Sequence, residues 1–364
     1  MNDDFITGLR ADLVAAAARH GRRGAIGRAA LPLHPRAWRP AVAAGAVALA
    51  VAVAAVVIAL STLAPPVQRV ARLKVVGVAQ LGGQPQDAAL GGGYLWVADY
   101  GGRVLRVDPV TRRVIDRIPD QGTPAVIAAD DRAVWVVSES ELHADDWRLL
   151  RIDPRSGRVV VTRDSATILT QLAVGAGVTW TRLYLETYEE LARIGPDGAI
   201  TRATRLPGVG MSLAAGRDTV WALAVNGTLT EVDGASGEIL DTLPNVLATN
   251  PNGAMENAIA VDAAGAWLSD AGAGAVVQVV AGHVVRRIAV APFTGPIARG
   301  DDAVWVATAD ALRRRNGLAR IDPQQGTVTA RIDLGHHVTN AIVPVGDTVW
   351  AIASDGTVTI VRGG

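Results

Sequence analysis

Cysteine is missing from the chain and phenylalanine nearly so, with two in 364 residues. The first absence rules out disulfides, which is compatible with an exported domain but does not require one. Charge of either sign is in short supply as well: 19% of residues are charged, and 35 basic residues balance 35 acidic ones. Seven of the basic residues stand before position 40, leaving 28 against 32 acidic ones, about −4, for the remainder. That remainder has no electrostatic footprint for nucleic acid. No Ser-His-Asp or Gly-x-Ser-x-Gly arrangement is visible. Gly91-Gly92-Gly93 is followed by a strand pattern rather than a helix, so it lacks the helix terminus that holds phosphate and reads as a hairpin turn.

Tryptophan and glycine, by contrast, are abundant. Seven of nine tryptophans form a comb: Trp96, Trp135, Trp180, Trp221, Trp267, Trp305 and Trp350 recur every 38 to 46 residues. That is the period of four-stranded propeller blades. Each follows a small or turn residue and an apolar one, as in Ala133-Val134-Trp135-Val136-Val137. A large ring at one position of every repeat suits packing between blades. A second alternating run often ends in Asp-Pro, as at Leu105-Arg106-Val107-Asp108-Pro109 and Ala319-Arg320-Ile321-Asp322-Pro323. There Asp accepts the turn's own amides, Pro presets φ, and a glycine such as Gly157, Gly237 or Gly326 closes the turn.

With a short apolar run before each tryptophan and another after each turn, every repeat holds four strands, A innermost to D outermost. The last repeat ends after strand C, and residues 71 to 81 have the alternation of the strand D it lacks. Pairing the two ends closes the ring and leaves no open seam. The expected fold is all-β: one seven-bladed β-propeller over residues 71 to 364, self-contained and monomeric. The repeat of Val-Trp-Val followed by Arg-Ile-Asp-Pro-x-x-Gly-x-Val resembles bacterial propellers of the virginiamycin B lyase-like and YVTN-type groups, and more weakly quinoprotein-type repeats. Membership in the lyase-like group implies His and Glu side chains around a metal in the central funnel. In this chain no histidine falls at the mouth of a strand A, and no metal or cofactor is expected.

A membrane segment precedes the propeller. Ala41 to Ala64 is a run of 24 residues without a charge, about 36 Å as helix, enough to span a bilayer with some tilt. A cleaved signal peptide fits less well, since the leader is long and Pro65 follows Thr62-Leu63-Ala64 where cleavage would fall. Arginines 10, 19, 22, 23, 28, 36 and 39 outnumber Asp3, Asp4 and Asp12 on the N-terminal side, which places that side in the cytoplasm and the propeller outside it. Within residues 1 to 39, Phe5, Leu9, Leu13 and Ala17 share one face of a short helix. Residues 65 to 70 are the linker, reaching about 20 Å at most. It would enter on the Asp-Pro side and point the opposite face away from the bilayer.

On that opposite face, strand A starts and D-to-A connections carry Gln86, Asp87, Thr123, Gln171, Ser212, Glu256, Asn257, Thr294, Thr339 and Asn340 around the funnel. These are mostly neutral hydrogen-bonding groups, suited to a polar ligand or peptide. Three B-to-C loops are expected to add a charged rim. Blade 2 offers Glu139, Glu141, Asp145, Asp146 and Trp147; blade 3 offers Tyr184, Glu186, Tyr188, Glu189 and Glu190; blade 6 offers Arg313, Arg314 and Arg315. His336 and His337 are adjacent and would face opposite ways, which argues against one shared metal. Two functions follow as expectations: an anchored extracytoplasmic module binding a protein, peptide or envelope ligand, with no catalytic residue assigned; or a propeller-type lyase or lactonase using Glu256 and Asp87.

Overall fold

The computed structural model describes residues 72–120, 122–140, 147–175, 177–247, 257–310 and 314–363. The expected membrane segment 41–64, the N-terminal helix and the linker lie outside them, as do Glu256, Arg313 and the blade 2 positions 141–146. Among the described residues, no helix is long and apolar enough to cross a membrane.

Among the described residues, twenty-eight strands, β1 (Lys74–Gln80) to β28 (Thr357–Arg362), form seven four-stranded antiparallel sheets. Six sheets are meanders of consecutive strands. The seventh joins β26 (Thr339–Val345), β27 (Thr348–Ala353) and β28 to β1, which pairs with β28 from Lys74↔Arg362 to Gln80↔Thr357. The first and last strands of the ring are thus hydrogen-bonded to each other.

The core is divided into seven clusters, each between neighbouring blades and each holding one tryptophan of the comb. Trp96 packs against Ile127, Val134 and Val136 of the next blade, and Trp350 against Leu95, Leu105 and Val107 across the seam. None of the seven rings is more than 6% exposed. The alternation of each strand B puts its tryptophan on the face that meets the next blade.

The Asp-Pro turns form as their chemistry requires. Asp153 Oδ1 accepts the Ser156 amide at 2.7 Å, and the Gly157 amide returns to the Asp153 carbonyl at 2.8 Å. Gly157 has φ of 71°, a left-handed conformation that glycine adopts without strain. Every strand D is also bulged against its strand C, as where Ile115 has no partner between Val107↔Val114 and Arg106↔Asp116. Such bulges bend the outer strand and increase its twist.

Candidate functional site

Strands A converge on a central channel of about 390 Å³, lined from all seven blades. Six of these strands carry a bulge near their start, opposite strand B. In β2 (Pro85–Gly91) the extra residue is Gln86, in β14 (Gly210–Ala215) Met211, and in β26 Asn340. All three line the channel. A bulge re-aims the side chain it adds, so these irregularities shape the channel mouth.

The channel brings together Gln86, Asp87, Gln171, Ser212, Asn257 and Asn340 from the expected ring. A second cavity of about 390 Å³ beside it takes Thr294 and Thr339 together with Gln86 and Asn340. Thr123 lines neither.

Hydrogen bonding divides this set by role. Asp87 Oδ2 accepts the Ile127 amide of the next blade at 3.0 Å, while Oδ1 accepts the Ala88 amide at 2.8 Å. Asn340 Nδ2 donates to the Pro85 carbonyl at 2.8 Å, tying blade 7 to blade 1. Asn257 is buried and accepts the Ala271 amide at 2.8 Å. The buried Thr294 hydroxyl donates to the Ala275 carbonyl at 3.4 Å. These four hold the scaffold. Gln171 and Ser212, by contrast, have side chains with no hydrogen-bond partner among the described residues, and Gln86 reaches only the Gln84 carbonyl at 3.5 Å. Their amides and hydroxyl are the groups left to meet a ligand. Asp87, with an amide on each oxygen, ties strand A of blade 1 to strand A of blade 2.

The rim differs from the sequence expectation. In blade 3 the B-to-C connection is only Glu186-Thr187, between β11 (Val178–Leu185) and β12 (Tyr188–Ile194). Glu186 has φ of 56°. Tyr184, Tyr188, Glu189 and Glu190 therefore lie on strands rather than in a charged loop. Glu189 is buried against Arg182, Glu190 faces Arg202 at 3.4 Å, and the Arg205 guanidinium lies 4.3 Å from the Tyr188 ring centre. Two of the three carboxylates expected here, Glu189 and Glu190, are thus paired within the blade, while Glu186 is exposed. Trp147 begins β8 (Trp147–Ile152) and packs on the core between blades 2 and 3. Arg315 pairs with Asp333 of its own blade, and Arg314 and Arg315 line a cavity of about 510 Å³ with Asn316 and His336. His336 and His337 go separate ways: Nδ1 of the first meets the Arg314 carbonyl at 2.6 Å, and Nδ1 of the second meets Asp355 at 2.7 Å.

No family model matches the chain, and no curated protein does. Solved structures do resemble it. The β-propeller domain of Cps50 (Swd1) from Myceliophteria thermophila is 12% identical at a TM-score of 0.59, covering 80% of this chain and 99% of its own. BamB from Moraxella catarrhalis is 12% identical at 0.54, with 80% and 100% covered. The computationally designed Ika8 protein is 14% identical at 0.58, with the same coverage. Likeness at this identity speaks for architecture alone, because one fold hosts many functions. The described residues form an all-β, seven-bladed propeller of four-stranded blades.

Proposed function

We propose that this protein is a binding module, tethered to the membrane by residues 41–64, whose propeller lies outside the cytoplasm. Its central channel receives a protein, peptide or envelope ligand. The observation that carries the reading is the convergence of uncharged donors and acceptors on one channel: Gln171 and Ser212 with no side-chain partner among the described residues, and Gln86 with only its 3.5 Å contact to the Gln84 carbonyl, while Asp87, Asn257 and Asn340 are committed to the scaffold. Neutral amides and hydroxyls match the amides of a peptide or the hydroxyls of a glycan, and they select by hydrogen bonding in place of chemistry. The charge-free run and the arginine excess before it support the tether and its orientation.

Ser212→Trp tests the binding reading by plugging the channel without touching the inter-blade cores. Full-length protein used as bait on envelope extracts should retain a ligand that the Ser212→Trp protein does not. Equal capture by both would remove the channel from the proposal. A single cysteine at Gln325, exposed in the Asp322 turn, should react with an impermeant thiol reagent in intact cells. Protection there until the cells are lysed would overturn the extracytoplasmic placement.

A further inference from the structure

Several inter-blade tryptophans are accompanied by an arginine of their own blade. Across the pairing of strands B and C, Trp96 faces Arg106, Trp135 faces Arg151, Trp180 faces Arg193 and Trp305 faces Arg320. In blades 1 to 3 the guanidinium carbons stand 5.4, 5.9 and 4.8 Å from the ring centres, within reach of cation–π attraction. Arg106 and Arg193 also cross to the next blade. Arg106 Nη2 donates to the Arg155 carbonyl at 2.8 Å, and Arg193 Nη2 to the Ala235 carbonyl at 2.5 Å. Both carbonyls belong to C-to-D turns. The guanidinium fills the space between a tryptophan and the neighbouring blade's turn.

Blade 4 departs from this pattern in two ways. Opposite Trp221 stands Glu231, and opposite Glu231 on strand D stands Asp241, where blade 1 has the complementary pair Arg106 and Asp116. The facing turn of blade 5 is also short. It consists of Ala281 and Gly282 between β20 (Ala275–Val280) and β21 (His283–Ala289), against residues 234–238 in blade 4. Blades 5 and 7 also lack the arginine, with Gln278 opposite Trp267 and Ile360 opposite Trp350, but only blade 4 has a carboxylate there. Where the guanidinium of blade 1 or blade 3 meets the next blade's turn, blade 4 instead opens a cleft of about 810 Å³, roughly twice the central channel. Trp221, Glu231, Asp218, Asp262 and Ala281 line it.

Glu231 is half-buried and has no hydrogen bond or ion pair among the described residues. Burial first, and then the Asp241 carboxylate, push its carboxyl above the usual range. Arg217 lines the mouth but is exposed. Asp262 is already satisfied by the Trp267 indole at 3.0 Å and Arg299 at 3.1 Å. Asp218 also lines the cleft but is exposed to solvent, so the half-buried carboxylate without a partner among the described residues is Glu231, beside Asp241.

We infer that the cleft between blades 4 and 5 binds an arginine side chain presented by a partner polypeptide. The partner's guanidinium takes the place that blades 1 to 3 fill from their own sequence. It lies beside Trp221, neutralises Glu231 against Asp241, and faces the Ala281 turn as Arg106 and Arg193 face theirs. A planar fork that stacks on indole and serves two carboxylates suits this geometry better than the compact ammonium of lysine. The cleft is on the face of the A-to-B and C-to-D turns, opposite the channel mouth, so it is independent of the channel ligand.

The test titrates the full chain, in neutral detergent, with N-acetyl-arginine amide, following the tryptophan indole resonances. N-acetyl-citrulline amide serves as the uncharged isostere. Saturable binding of the arginine probe, at least about tenfold tighter than the citrulline one, is expected. Glu231→Gln should weaken it by about tenfold or more. Glu231→Arg, which restores the repeat's own guanidinium, should abolish it and raise the melting temperature. Equal binding of the two probes, no saturable binding, or undiminished binding by folded Glu231→Arg protein would each overturn the inference.

Discussion

Arg182 Nε lies 3.0 Å from Glu189 Oε2 within blade 3, with the two side chains 1% and 2% exposed. The atoms face each other without the alignment of a hydrogen bond, so the attraction is that of two buried ions side by side. Burial lowers the arginine's pKa, and Glu189 opposes that shift. Arg182 Nη1 also donates to the Leu223 carbonyl of blade 4 at 2.6 Å. The pair thus locks two blades together. Removing one partner strands the other charge, so Glu189→Leu should cost about 3–5 kcal/mol. Arg182→Met with Glu189→Leu should cost far less, because no charge then remains buried. Denaturant unfolding of the two variants checks the difference, and equal losses would contradict the assignment.

The seam between β1 and β28 is held by six paired positions and by Leu81, Val76 and Ala79 packing into the cluster around Trp350. Deleting residues 72–81 exposes the edge of β28 and opens that cluster. The propeller should lose cooperative unfolding and gain a tendency to associate through the bare edge. A deletion variant that melts like the parent would show that the ring does not depend on this strand.

Trp135 is 2% exposed between blades 2 and 3. Trp135→Ala should therefore cost about 3–5 kcal/mol, the range for deleting a large buried ring. A chemical-denaturation loss below about 1 kcal/mol would mean that the site collapses around the truncation.

The turn carboxylates Asp108, Asp153 and Asp233 are held below their ordinary value of 3.8, first by the amides of Val110, Ser156 and Ser236. A folded pKa below the unfolded one gives stability that is present above about pH 4 and lost as pH falls through the folded values. Melting temperature should drop on acidification below about pH 4. Asp153→Asn should make that dependence shallower, since its charge no longer contributes.

Glu231 behaves with the opposite sign. Its folded pKa is raised, first by burial and then by Asp241, so its favourable contribution is present below the ordinary value of 4.5 and lost as pH rises through the folded value. Glu231→Gln should stabilise the protein at neutral pH, with the advantage disappearing in acid. Thermal melts of both proteins across that range check the sign.

The comb of tryptophans, the four-strand repeat and the Asp-Pro turns were legible because each is written in a short stretch of sequence. A turn needs its Asp, Pro and Gly within about five residues, and a strand needs only its alternation. The polar ring was legible in part. Gln86, Asp87, Gln171, Ser212, Asn257 and Asn340 do line the channel, but which of them are spoken for depends on amides of other blades. The bulges at Gln86, Met211 and Asn340 exist only relative to a partner strand. Blade 3 misled because Leu185-Glu186-Thr187-Tyr188 lacks the Asn-Gly signal of a tight hairpin. Glu186 takes the left-handed conformation instead, which puts Glu189 and Glu190 on a strand.

The sequence by itself determined the architecture of this protein, because hydrophobic period and turn chemistry are local and repeat seven times. Only the tertiary structure decided which charges are satisfied. Trp180 and Arg193 are 13 residues apart and Trp135 and Arg151 are 16 apart, so no fixed spacing marks the pairs; strand register alone sets them opposite each other. The same register placed Glu231 at the equivalent position in blade 4, facing a shortened turn of blade 5. An electrostatic energy depends on distance and burial, and both are set between blades that are distant in the chain.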